Sequence, residues 1–382
     1  MKEKTSVLLS QGSFIFLCGM GGLLLSLFGI SIGWMIGSLV AASILSLSQP
    51  KRLAICIKKG IDRRWFLAGQ YLLGIELGRN VNMAVMSVFQ DNWLTVIIVL
   101  LSSVLFALGT GWLLYRYSSV DALTSLLATA PGGIATMPTI AEEVKANIGV
   151  VSAVQTIRVF SVVTIIPVVL FLFLQGNEQK INLASNGAVS SSTIQFEWPQ
   201  FLWTFPILLV AFVGVWIGKR IKLPAPWVLG SLVGVILVEM LSLGFVNHVV
   251  TFWWPHPIVV IGQILIGASI GSRFQKSMFI GLKRILIVGT IGTLLLISAM
   301  FLCAYIVSVT TGISLVTSVL AFAPGGVVEM STAAVLLHAD STFVVAVQTL
   351  RIVVVILLLP PFIKFVHQRN AVEKEKVKTS SM

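Results

Sequence analysis

Two arginines stand where charge is costly. Arg158 lies ten residues into one apolar run and Arg351 eight residues into another. At 1.5 Å per helical residue they sit ~15 Å and ~12 Å from the segment ends. A buried charge at that depth costs ~2.5–3.5 kcal/mol even on the lenient insertion scale, so each guanidinium needs a partner or a purpose. Both close the same motif, Gln155-Thr156-x-Arg158 and Gln348-Thr349-x-Arg351. Upstream of each lies Ala-Pro-Gly-Gly: Ala130, Pro131, Gly132, Gly133 and Ala323, Pro324, Gly325, Gly326. Proline removes a backbone donor and glycine permits tight turns, so the chain breaks there.

The chemistry of this set is anion binding. The arginines supply charge, and the helical arm after each Pro-Gly-Gly turns its positive N-terminal end inward. Gln155, Gln348, Thr156 and Thr349 of the same motifs are further candidate substrate-binding residues, while Thr136, Thr139, Ser331 and Thr332 offer neutral hydrogen bonds. The bland account is a structural ion pair holding a broken segment against its neighbour. Glu329 is the nearest motif carboxylate; Glu76 and Glu142 are others. Glu329 has no acidic counterpart, since Thr136 occupies the matched position. It therefore either carries a coupling ion, H⁺ or Na⁺, or neutralises one arginine. Glu76 and Arg79 are three residues apart on one helix face, which predicts a local salt bridge. Gln70 and Gln263 predict hydrogen bonds between helices.

The elements that carry these residues are apolar. The chain is 57% hydrophobic and 10% charged, against about 25% charged in a soluble domain. Runs such as Trp93–Leu114 and Ile285–Val309 have the length of a membrane span. The pattern also repeats. Trp34–Val40 recurs as Trp227–Val233; Gly69, Gln70, Gly74 and Gly78 as Gly262, Gln263, Gly267 and Gly271; Pro167 as Pro360. These pairs, and the motifs above, are all 193 residues apart. A constant offset through separate blocks predicts a tandem duplication. We expect a first membrane repeat over 1–175, an extracytoplasmic linker over 176–200, a second repeat over 201–366 and a cytoplasmic basic tail over 367–382.

Each half contains six apolar segments, the fifth cut by Pro-Gly-Gly into arms about half a bilayer long. If that segment is a re-entrant hairpin, each half has five spans and the halves are inverted. With the N-terminus inside, Lys180 is then the one loop cation outside. A full crossing would export Lys145, Lys219, Arg220, Lys222, Arg273, Lys276, Lys283 and Arg284. The tendency of basic loops to stay cytoplasmic favours the hairpin. The expected fold is thus an all-α polytopic membrane protein of two inverted repeats. Each has about five transmembrane helices plus a hairpin, with both termini cytoplasmic at the inner or plasma membrane.

Other classes fit poorly. The net charge of +12 comes from Lys and Arg in short loops, which reports orientation and not a nucleic-acid footprint. The first apolar segment follows Lys2 and Lys4 but lacks a small-x-small cleavage site, and reads as a retained span. Cys18, Cys56 and Cys303 are far apart, and His248, His256, His338 and His367 are scattered. No metal-ligand spacing, cofactor motif or catalytic constellation is present, so no enzyme is expected.

The doubled Ala-Pro-Gly-Gly and Gln-Thr-x-Arg blocks, over about residues 12–366, resemble the AbrB membrane-protein duplication family. Members have been labelled as ammonia monooxygenases or as AbrB-family transcriptional regulators. The small soluble DNA-binding protein of the same name has a different pattern. The resemblance implies a membrane protein associated with control of gene expression. The residues imply a secondary transporter of a small anionic metabolite, partnered by the bilayer, its substrate and H⁺ or Na⁺. A homo-oligomer is compatible with either function. The alternative is a membrane-embedded sensor, with Pro50–Arg64 or the tail after Lys364 as output surface.

Overall fold

The computed structural model describes residues 2–28, 32–50, 61–81, 85–131, 136–181, 198–223, 225–246, 252–274 and 281–355. The expectations placed on Gly132, Gly133, Pro360, the middle of the linker and the basic tail lie outside these residues. All regular structure among the described residues is helical. In chain order the helices are α1 (Lys2–Leu27), α2 (Gly33–Ser48), α3 (Arg63–Arg79), α4 (Val85–Tyr117), α5 (Ala122–Thr129), α6 (Thr136–Glu143), α7 (Ile148–Ile181), α8 (Trp198–Arg220), α9 (Pro226–Val246), α10 (His256–Gly271), α11 (Lys283–Thr311), α12 (Leu315–Phe322) and α13 (Val327–Leu336). A further helix, α14, covers Ser341–Val355.

Five stretches are long and apolar enough to cross a bilayer: Leu9–Leu27, Gln90–Tyr117, Ile148–Leu174, Gln200–Arg220 and Lys283–Thr311. Their outward faces expose large apolar side chains, among them Phe16, Leu105, Trp112, Leu209 and Leu302. Such a belt suits lipid and not water. The chain is a helical membrane protein. Shorter apolar helices include Gly33–Ser48, Pro226–Ser242 and His256–Gly271; sixteen residues reach roughly 24 Å.

The chain forms two compact units, each drawing on both halves of the sequence. The first comprises 1–87, 163–276 and 327–345; the second comprises 88–162, 277–326 and 346–382.

In the first unit, small residues set the packing. α1 lies on α2, where a Cβ at Gly37 would meet the Gly21 carbonyl oxygen at 2.2 Å. α8 lies on α9 in the same way, a Cβ at Gly214 meeting the Gly230 oxygen at 2.2 Å. Then the halves exchange partners. α3 packs on α9, with Gly74 against Val228 and Ser231; α10 packs on α2, with Gly267 against Met35 and Ser38. α3 and α10 cross each other at Gly69 and Gly262. Backbones this close gain dispersion contacts and have no room for a side chain. Each of these contacts has its partner 193 residues away.

The second unit holds the broken segments. Its core gathers Leu127, Ala128 and Ala130 from the first break, Val150, Val151 and Val154 from α7, and Ile285 and Val355. α11 packs on α12, and Gly111 of α4 approaches Thr129 and Leu126 of α5.

Candidate functional site

The site is built on two helix ends in the second unit. α5 begins at Asp121, whose carboxylate accepts from the Thr124 N–H at 2.9 Å; α12 begins at Ser314, whose hydroxyl accepts from the Thr317 N–H at 3.2 Å. Both are N-caps, and they are 193 residues apart. Both helices end after eight residues at an alanine in extended conformation, Ala130 (φ −58°, ψ 138°) and Ala323 (φ −53°, ψ 140°). The proline that follows forces this, because the residue before proline is steered away from helical geometry. A helix stopped so abruptly leaves its last carbonyls without intrahelical partners, in a buried place.

The Gln-Thr-x-Arg motifs supply the missing donors. Gln155 Nε2 donates to Leu127 O at 3.1 Å and to Ala130 O at 2.9 Å. Gln348 Nε2 donates to the equivalent oxygens, Leu320 at 2.8 Å and Ala323 at 3.1 Å. Arg158 Nη1 donates to Thr129 O at 2.8 Å and Ala130 O at 3.0 Å, and its Nη2 donates to Gln155 Oε1 at 2.6 Å. Arg351 donates from Nη1 to Ala323 O and from Nη2 to Gly325 O. Each arginine thus places its charge at the negative end of a short helix, where a cation is stabilised. Pro131 is buried beside the first break; Pro324 is buried and Gly325 and Gly326 half-buried at the second.

The anchoring leaves hydrogen-bonding capacity unused. Nε of Arg158, Nε of Arg351, Oε1 of Gln348 and Oγ1 of Thr349 are buried without a hydrogen-bond partner. So are the hydroxyls of Ser125 and Ser318, on α5 and α12, another pair at the 193-residue offset. Thr156 is spent on its own helix, donating to Ser152 O at 2.7 Å. Arg158 and Arg351 are both buried. Among the described residues neither has a carboxylate within 4.0 Å. The side chains of Thr136 and Thr139 lie outside the described residues.

Glu329 belongs to the first unit. It is buried on the first turn of α13, which packs on α3. The charge acting on it there is Arg273, just beyond α10. Burial holds the Arg273 guanidinium below its ordinary value; Glu329 pushes it up and Arg63 pushes it down. Ser331, also buried, has an unpartnered hydroxyl, whereas Thr332 donates to Val328 O at 2.7 Å.

Two expectations outside the motifs come out differently. Glu76 and Arg79 do not pair. Arg79 Nη1 donates to Trp254 O at 3.3 Å, and Glu76 Oε1 accepts from Asn80 Nδ2 at 3.0 Å. Arg79 is the last residue of α3 and is exposed, so a neighbouring backbone oxygen competes well with a carboxylate one turn back. Gln263 is fully buried with both amide atoms unpartnered. It does not make the helix–helix hydrogen bond expected of it.

Sequence reasoning missed the capping residues. Asp121 and Ser314 start the short helices. Asn147 and Asp340 start the helices that carry the arginines, accepting from Val150 N–H at 3.2 Å and Phe343 N–H at 3.1 Å. Both pairs obey the 193-residue offset, the signal by which they could have been found.

Residues 34–367 match the family described as "Transition state regulatory protein AbrB". The chain belongs to the AbrB family. Similar proteins include YhjN of Bacillus subtilis (strain 168), 46% identical over 375 residues, covering 98% of this chain and 97% of the relative. A second is "Putative regulator AbrB" of Escherichia coli (strain K12), 27% identical over 321 residues, covering 80% of this chain and 84% of the relative. The AbrB match spans both breaks and both Gln-Thr-x-Arg motifs.

Proposed function

We propose that this AbrB-family chain is a secondary transporter of a small anionic metabolite, with Arg158 and Arg351 as its anion-holding residues. One observation carries this reading. Arg158 and Arg351, in one unit, are both buried with an unpartnered Nε and with no carboxylate within 4.0 Å among the described residues. An anion bound there would supply the missing countercharge and take up the open Nε donors. Broken helices whose polar ends face a central site are also a recurrent way to build substrate sites in carriers.

The same reading takes the chain as two inverted repeats with re-entrant hairpins and cytoplasmic termini. It is supported by the caps, helix ends and glycine crossings matched at one offset. Coupling comes from an H⁺ or Na⁺ gradient, and Glu329, buried and without an acidic counterpart in the first half, is the group assigned to it.

The test uses purified protein in two steps. A thermal-shift screen of carboxylates, phosphates and amines should single out anions, since a ligand at a hundred times its Kd stabilises by about 2.7 kcal/mol. Uptake of the best anion into proteoliposomes should then vanish in Arg158→Ala and Arg351→Ala variants that still insert. Wild-type rates in both variants would sink the assignment.

A second reading rests on the Escherichia coli relative, whose name makes it a regulator. A direct signaller should lose its output when the chain is truncated after Val372. A transporter that acts through a metabolite pool should keep working.

A further inference from the structure

The C-terminal end of α8 carries three cations in four residues, Lys219, Arg220 and Lys222. The local backbone explains how they are presented. The Leu223 N–H donates to Gly218 O at 2.9 Å and the Lys222 N–H to Lys219 O at 3.3 Å. That pair of bonds closes a helix through one left-handed residue. The left-handed residue is Lys222, with φ +56°. Glycine is the usual occupant of such a position, because a Cβ is crowded there. A lysine is held where the backbone would favour none.

The other two cations rest on aromatic faces. Lys219 Nζ is 4.2 Å from the Trp227 ring centre, and the Arg220 guanidinium carbon is 4.6 Å from that of Trp216. These contacts fix the cations without neutralising them. All three side chains are exposed, and among the described residues none makes an ion pair within 4.0 Å. The sequence from Trp198 to Val238 contains no Asp or Glu. The duplicated pattern does not require this charge. At the positions 193 residues earlier, Ser26 and Leu27 stand in for Lys219 and Arg220, although Trp34 matches Trp227.

Immediately beside the cations the surface turns apolar and exposed, with Phe212, Trp216, Ile217 and Ile221. This lies at the end of a stretch long and apolar enough to span a bilayer, Gln200–Arg220. A ligand matching both parts carries a negative head and a hydrocarbon body. We propose that this corner binds one anionic phospholipid, its phosphate on Lys219, Arg220 and Lys222 and an acyl chain along Phe212 and Trp216. A zwitterionic lipid would bring an ammonium group towards three cations, with no local carboxylate to receive it. The corner therefore selects for net negative charge. It shares no residue with the helix breaks, and its test is independent of any transport assay.

The experiment uses the full chain in phosphatidylcholine vesicles doped with a photoactivatable phosphatidylglycerol or with a photoactivatable phosphatidylcholine. Crosslinked peptides are then mapped. The glycerol lipid should label the peptide containing Phe212–Trp227 well above the choline lipid. Selectivity should fall about five-fold for each cation changed to glutamine, so K219Q/R220Q/K222Q should label equally with both. Equal labelling of the wild-type protein by the two lipids overturns the proposal. So does displacement of the glycerol lipid by inorganic phosphate, which would make the ligand a soluble anion. The wild-type comparison decides the matter even if the triple variant fails to fold.

Discussion

The two broken segments of the second unit are copies that share both glutamine bonds and one arginine bond and differ in the arginine's other partners. In the first, Arg158 divides itself between the helix end and its own motif, donating to Thr129 O, Ala130 O and Gln155 Oε1. In the second, Arg351 gives both terminal nitrogens to backbone, at Ala323 and Gly325, and Gln348 Oε1 is left without a partner. In the first copy glutamine and arginine are bonded to each other. The second keeps an acceptor open beside a cation, and its following helix carries Glu329 where the first has Thr136. The shared part of the wiring is what a stopped helix demands. The differing part leaves the second copy with an unsatisfied amide acceptor.

The largest effects should come from the arginines. Arg158→Met strands the Thr129 carbonyl and Gln155 Oε1, and Arg351→Met strands the Gly325 carbonyl, while Ala130 O and Ala323 O keep their glutamine donors; each should cost up to about 3 kcal/mol, readable by thermal unfolding in detergent. Transport should be lost in both. If either variant kept its stability, the helix-end role assigned to that copy would be wrong.

A smaller and more telling contrast separates the glutamines. Gln155→Leu removes two carbonyl bonds and also an arginine bond, so it should destabilise by about 2 kcal/mol. Gln348→Leu loses the carbonyl bonds but relieves an unpartnered amide oxygen, and should cost about half as much. Because an amide oxygen accepts and does not donate, affinity for an anion should fall no more in Gln348→Leu than in Gln155→Leu. Equal loss of stability in the two variants would erase the distinction between the copies.

The smallest effects belong to the caps. Asp121→Ala and Ser314→Ala should each cost about 1 kcal/mol and should leave affinity unchanged. A change in affinity in one alone would mean that its short helix moves when ligand binds.

Much of this was legible in the residues. The apolar runs gave the helices, and Pro-Gly-Gly gave the two breaks, because proline and the residue before it leave the chain few alternatives. The buried arginines were found, but their partners were misjudged. A charge at depth calls for a carboxylate on paper, and Glu329 was the one nearest a Pro-Gly-Gly motif. Instead, the helix ends exposed by proline offered oxygens that cost nothing more to bury. Those oxygens belong to residues 28 positions upstream of each arginine, Ala130 and Ala323, and no property of the side chains there announces them. The Glu76–Arg79 pair failed for a related reason. Helical spacing says which side chains can meet, but it is blind to a carbonyl from another segment, here that of Trp254. The glycines of the first unit were visible as repeated letters. Which helix each one admits depends on tertiary packing that spacing alone does not encode.

The exchange of partners in that unit bears on how the chain is made. α3 comes from the first half of the sequence and docks on α9 from the second; α10 comes from the second and docks on α2 from the first. A ribosome that has finished the first half has produced two surfaces, on α2 and α3, whose mates do not yet exist. Assembly of that unit must await the last of its helices to be synthesised. A gene cut between the halves should yield two polypeptides that are stable together in one membrane and degraded apart.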